Sequence, residues 1–115
     1  MNNQQRKGIN FDLDTKKLKK NYPKEKGDWH NAYNIMRIFF EQEGFEHIQG
    51  SGYHSKDPMS QARAMAAIYK MTKVHPWLND CVRVCTIADI PETTDITHVI
   101  AEEARKSEKI HSGYL

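Results

Sequence analysis

Apolar residues change their spacing along this chain in a fixed order, and that order restricts the available folds more than any other feature. Ile9, Phe11 and Leu13 alternate with Asn10, Asp12 and Asp14, the period of two that marks a half-buried strand. Trp29, Ala32, Met36, Phe39 and Phe40 then return at helical spacing, with Asp28 as the cap of a helix over 29–43 and Gly44 as its stop. Residues 45–49 and 52–55 read as a hairpin about Gly50-Ser51. Asp57-Pro58 opens a second helix, with Ala62, Met65, Ala66 and Tyr69 on one apolar face. His75-Pro76 breaks the pattern, and 81–90 is the most apolar strand. A last helix capped by Thr94 or Asp95 carries Ile96, Val99, Ile100 and Ala104 and runs through about Arg105.

Strand, helix, strand, strand, helix, strand and a terminal helix leave few topologies, because hairpins pair neighbours and crossovers are right-handed. The simplest is an α/β (α+β) ferredoxin-like βαββαβ sandwich with an extra C-terminal helix. At 115 residues the chain suits one modest core, placed at 7–105, with tails over 1–6 and 106–115. Both long helices then cover one face of the sheet. The strand over 81–90 is apolar on both sides, so its other face also wants cover, from a second copy of the chain or from the terminal helix folding back. In a dimer, two copies of Asp12 would approach each other in a cleft.

Composition removes several classes. No stretch approaches the roughly 20 apolar residues of a membrane helix, and the polar start lacks the apolar core of a signal peptide, so a cytoplasmic protein is expected. Cys81 and Cys85 lie about 13 Å apart if both are on one strand, too far to share a zinc ion, and buried reduced thiols are expected. A formal charge of +2 does not by itself imply nucleic acid. The charge is unevenly spread, however: Lys16, Lys17, Lys19, Lys20, Lys24 and Lys26 face only Glu25. The run is either a solvated face or a patch that contacts phosphate.

Asp12 is the most pointed residue. A carboxylate at a strand's end acts as a base or holds a hard cation, with Mg²⁺ the natural candidate. Asp14 is better placed to cap the turn that follows it. Gln49-Gly50-Ser51-Gly52-Tyr53 offers glycine backbone and two hydroxyls to a phosphate, although hairpin turns use the same residues for their own geometry. A two-residue turn would set His47 opposite His54, as an acid–base pair or as a solvated cross-strand contact. Tyr33 and Tyr69 read as core residues with exposed hydroxyls. Asp12-Leu13-Asp14-Thr15 is also similar to the aspartate motif of haloacid-dehalogenase-like phosphatases, but Lys16 stands where that motif has Thr or Val, and the chain is short for that fold.

Taken together, Phe11-Asp12-Leu13, Leu18-Lys19-Lys20 with Tyr22, Asn31-Ala32-Tyr33, Gly44-Phe45-Glu46, Gln49-Gly50-Ser51 with Tyr53, and Val82-Arg83 resemble the VapD (virulence-associated protein D) family from about residue 8 to 100. The resemblance implies a ferredoxin-like homodimer, similar in architecture to the small nuclease of CRISPR adaptation, and a toxin-type endoribonuclease acting on single-stranded RNA or mRNA. It implies catalytic roles for Asp12 and Ser51 and a packing role for Leu18 in the loop after the first strand. Lys16, Lys17, Lys19, Lys20, Tyr53 and His54 would then meet the RNA, and an antitoxin protein is a further implied partner. The family often has an aspartate where this chain has Val84. That departure, with the lysine-rich insertion at 23–27 and a longer C-terminal tail, keeps open a non-catalytic dimer that binds nucleic acid or protein in a toxin–antitoxin system.

Overall fold

A computed structural model describes residues 4–92 and 94–113, with side chains through 107. Strand β1 (Arg6–Leu13) is followed by helix α1 (Thr15–Asn21), a 3₁₀ turn (Lys24–Lys26) and helix α2 (Asn31–Gln42). Strands β2 (Phe45–His47) and β3 (Gly52–Ser55) form the hairpin. Helix α3 (Gln61–Val74), a second 3₁₀ turn (Pro76–Asp80), strand β4 (Val82–Ile90) and helix α4 (Thr97–Gly113) complete the chain. The sheet runs β2-β3-β1-β4, and each neighbouring pair is antiparallel. This is the ferredoxin-like order expected from the sequence. The tails expected over 1–6 and 106–115 fall partly outside the described residues.

The alternation in β1 divides the sheet. Lys7, Ile9, Phe11 and Leu13 are buried, while Asn10 is exposed and Asp12 half-buried. The Phe40 ring holds the centre of the core. Its centroid lies 4.2 Å from Tyr53, 5.7 Å from Phe45 and 6.1 Å from Phe11. Each such ring contributes roughly 1.5–3 kcal/mol by leaving water. Leu18, Met36, Met71 and Leu78 fill the space around them.

Packing corrects several expectations. Asp14 caps α1 as expected, its carboxylate accepting the Lys17 N–H at 3.0 Å. Helix α2 starts two residues later than 29, with Asp28 capping the turn ahead of it. Helix α3 is capped by Ser60 rather than by Asp57. It buries Ala64, Ala67 and Met71, whereas Ala62, Ala66 and Tyr69 of the expected stripe are exposed. Tyr33 and Tyr69 are not core residues, being 41% and 57% exposed. Cys81 is buried but precedes β4, and Cys85 is exposed; both are free thiols. The hairpin loop spans 48–51, so His47 pairs with Tyr53 and Glu46 with His54. That one-residue change of register sends the two histidines to opposite faces.

Helix α4, capped by Asp95, does not fold back over the sheet. Ile96, Val99 and Ile100 remain exposed, and the molecule spans 76 Å in its longest direction. Its radius of gyration of 21.7 Å exceeds the roughly 13 Å of a compact chain this size. Within one copy, the face of the sheet away from α2 and α3 is therefore uncovered.

Candidate active site

The site arises from unequal strand lengths. Strand β1 pairs with β3 only from Gly8 to Asn10, and the Phe11 N–H then donates to the Ser51 carbonyl at 2.9 Å. Beyond that point β1 continues along β4 as far as Leu13, with a register shift between Asp12 and Leu13. A groove of about 810 Å³ occupies the gap beside it. Asp12 and Arg83 lie on the sheet side, Ser51 at the hairpin turn, and His30, Tyr33 and Arg37 on the α2 side.

Asp12 does not stand alone. Both Arg83 Nε and Nη2 donate to its Oδ2, at 2.8 and 2.5 Å, so Oδ1 is left for a ligand. The pair is partly shielded at the carboxylate and open at the guanidinium, with side chains 27% and 67% exposed. Asp12 also acts on its neighbour across the groove: burial first, and the Asp12 charge second, raise the Tyr33 hydroxyl above its ordinary value. Val84 is the register partner of Asp12 on β4. The chain therefore places an apolar side chain beside the carboxylate.

The turn is tied down by its own side chains. Ser51 Oγ donates to Asn10 Oδ1, so toward a ligand the hydroxyl presents lone pairs while its proton is engaged. The Ser51 backbone N–H makes no hydrogen bond among the described residues. His47 Nε2 donates to the Gly50 carbonyl at 2.8 Å, which fixes its tautomer and leaves Nδ1 as an acceptor. Gly50 adopts φ +54°, the left-handed region that suits glycine. Tyr53 forms the floor, and burial pushes its hydroxyl up to about 12, so it stays neutral at ordinary pH.

Among the residues singled out in the sequence, the groove brings together Asp12, Tyr33, His47, Ser51 and Tyr53. His54 lies on the uncovered face against Gly8. Lys16, Lys17, Lys19 and Lys20 are exposed on α1, outside the groove lining, and Leu18 is fully buried beneath them. Sequence reasoning missed Arg37 and His30 and gave Arg83 no role of its own. The signal for Arg83 was its place next to the residue that pairs with Asp12; His30 had none beyond its neighbour Asp28. No group of three His, Cys, Asp or Glu side chains comes together among the described residues. Within one copy, a lone carboxylate already holding a guanidinium does not fit a Mg²⁺ site.

No family model matches the chain. Two curated relatives do. Over 93 residues it is 31% identical to Endoribonuclease VapD 2 of Riemerella anatipestifer, a match covering 81% of this chain and 97% of the relative. Over 92 residues it is 29% identical to Endoribonuclease VapD homolog of Helicobacter pylori, covering 80% of this chain and 93% of that one.

Proposed function

The chain belongs to the VapD family, and on that footing we propose that it is an endoribonuclease cutting single-stranded RNA by attack of the 2′-hydroxyl on the adjacent phosphate. The observation that carries this reading is the Asp12–Arg83 pair at a groove large enough for a nucleotide. Asp12 Oδ1 orients the 2′-hydroxyl and takes its proton, while Arg83 neutralises the phosphate. The free N–H of Ser51 donates to a phosphate oxygen. Exposed lysines on α1 hold the flanking backbone through a salt-sensitive attraction.

A second copy covers the open face of the sheet, where Val84, Thr86 and Ala88 are exposed, and the working form is a homodimer in the cytoplasm. An antitoxin protein would restrain it. The decisive test is cleavage of a short RNA by wild type and Asp12→Ala, with analysis of product ends. A 2′,3′-cyclic phosphate from wild type and no cut by the variant are expected. Uncut RNA with wild type overturns the reading.

Val84 favours one other reading, a dimer of this family that binds RNA without cutting it, because the second carboxylate beside Asp12 is missing. RNA bound tightly and recovered intact would select it.

A further inference from the structure

We propose that His30 is the general acid of this site, held in place by Asp28; the proposal rests on the endoribonuclease reading above. His30 occupies the N-cap position of α2, where a side chain ordinarily accepts one of the helix's free N–H groups. It makes no such bond. Its ring turns instead to Asp28, whose Oδ1 accepts both the His30 backbone N–H at 2.9 Å and ring Nδ1 at 2.6 Å. The Trp29 ring stacks on the imidazole with centroids 3.7 Å apart and planes 26° apart. Lys19 Nζ stands over the Trp29 ring, 5.3 Å from its centroid.

The stack and the Asp28 bond orient the ring although its side chain is 65% exposed, and the only hydrogen bond it makes among the described residues is through Nδ1. Nε2 has no partner among the described residues, and His30 lines the same groove as Asp12 and Ser51. A carboxylate that fixes one imidazole nitrogen so that the other can move a proton is the arrangement acid–base catalysis requires. Structural caps do not need it, since Asp28 caps the turn through the backbone N–H alone. The side-chain bond to the imidazole is additional. The same backbone N–H, followed by the side-chain bond, holds the Asp28 carboxyl below its ordinary value and so keeps it a carboxylate.

The proton balance assigns the remaining step. Asp12 Oδ1 takes the 2′-hydroxyl proton as the 2′-oxygen bonds to phosphorus. The bond from phosphorus to the 5′-oxygen breaks with its electron pair going to that oxygen, which takes the Nε2 proton of the His30 imidazolium and leaves the neutral ring bonded to Asp28 through Nδ1–H. A cyclic phosphate and a 5′-hydroxyl leave, and solvent returns both side chains to their starting states. His30 thereby supplies the proton-transfer group that Val84 does not. The charged and titratable groups facing it are Asp28, Lys19, Tyr33 and Arg37 on its own side, with Asp12, Arg83, His47 and Tyr53 across the groove.

The test measures cleavage between about pH 5 and pH 9 by wild type, His30→Gln and Asp28→Asn, on ordinary RNA and on RNA with sulfur replacing the bridging 5′-oxygen. Wild-type cleavage should fall on the alkaline side of its pH profile, where the general acid has lost its proton. His30→Gln should lose about 100-fold on ordinary RNA, lose that falling limb, and recover to near the wild-type rate on the sulfur substrate, whose leaving group needs no proton. Asp28→Asn, a change to a positioning residue, should lose about tenfold and keep the limb. An unchanged pH profile in His30→Gln, or a defect that persists on the sulfur substrate, overturns the role of His30 and leaves the endoribonuclease reading standing. Wild type that cuts neither substrate overturns both.

Discussion

Strands β1 and β4 are joined by an ion pair near each end, and the two pairs have opposite characters. Near the start of β1, Lys7 Nζ donates to Asp89 Oδ1 at 2.5 Å between register partners. The Lys7 side chain is only 6% exposed, on the covered face of the sheet, and its neighbour Ser55 Oγ accepts the Lys7 N–H. Near the end of β1 the charges are reversed in sequence. Asp12 holds Arg83 diagonally rather than its register partner, beside a groove. The first pair satisfies a cation the fold has buried. The second leaves one carboxylate oxygen without a protein partner at the edge of the groove. Two ion pairs on the same two strands thus differ by what lies over them: one satisfies a buried cation and the other stands open to a groove.

The largest expected effect breaks this contrast at the groove end. Asp12→Ala should lower RNA cleavage by at least about 100-fold, with the melting temperature almost unchanged by calorimetry. At the other end, Asp89→Ala leaves the buried Lys7 ammonium unpaired. It should cost about 2 kcal/mol, or a melting temperature lower by roughly 10 °C, with the cutting rate per folded molecule unchanged. Lys7→Met, which removes the charge instead of its partner, should be close to neutral in the same melt. Arg83→Met should reduce cleavage by about tenfold and lower the salt dependence of RNA binding by about one contact in titrations.

The smallest effect concerns pH. Asp14 is lowered from its ordinary 3.8, chiefly by the Lys17 backbone N–H. A lowered folded value means its contribution is present above 3.8 and is lost as pH falls through the folded value. Asp14→Asn should therefore lower the melting temperature slightly at neutral pH and flatten its fall on the acid side, where the wild-type contribution is already lost.

What the sequence disclosed depended on whether neighbours or distant residues decide the outcome. Strand β1 was legible because Ile9, Phe11 and Leu13 impose a period that only a half-covered strand satisfies. Helix α3 was legible as a helix but not in its facing. Ala62, Ala64, Ala66 and Ala67 generate two overlapping small-residue stripes, and packing against the sheet chooses between them. The hairpin was found, yet its register depended on a loop two residues longer than the shortest turn, which no residue type announced. At the site, Asp12 and Ser51 stood out by local context. Arg83 and His30 did not, because the groove assembles side chains from β4 and from the start of α2, far from each other along the chain.

Within one copy, β4 is an edge strand, with one side of its backbone ladder open to any other extended chain. From Val84 to Ala88 it carries no charge, and Arg83 and Asp89 stand at either end. Charges flanking an apolar edge strand disfavour its pairing with further copies, so these two ion-pair partners are also placed where gatekeepers stand. Neutralising both at once would leave an uncharged ribbon free to recruit copies of itself, so precipitation, rather than loss of catalysis, is the phenotype such a double variant should show first.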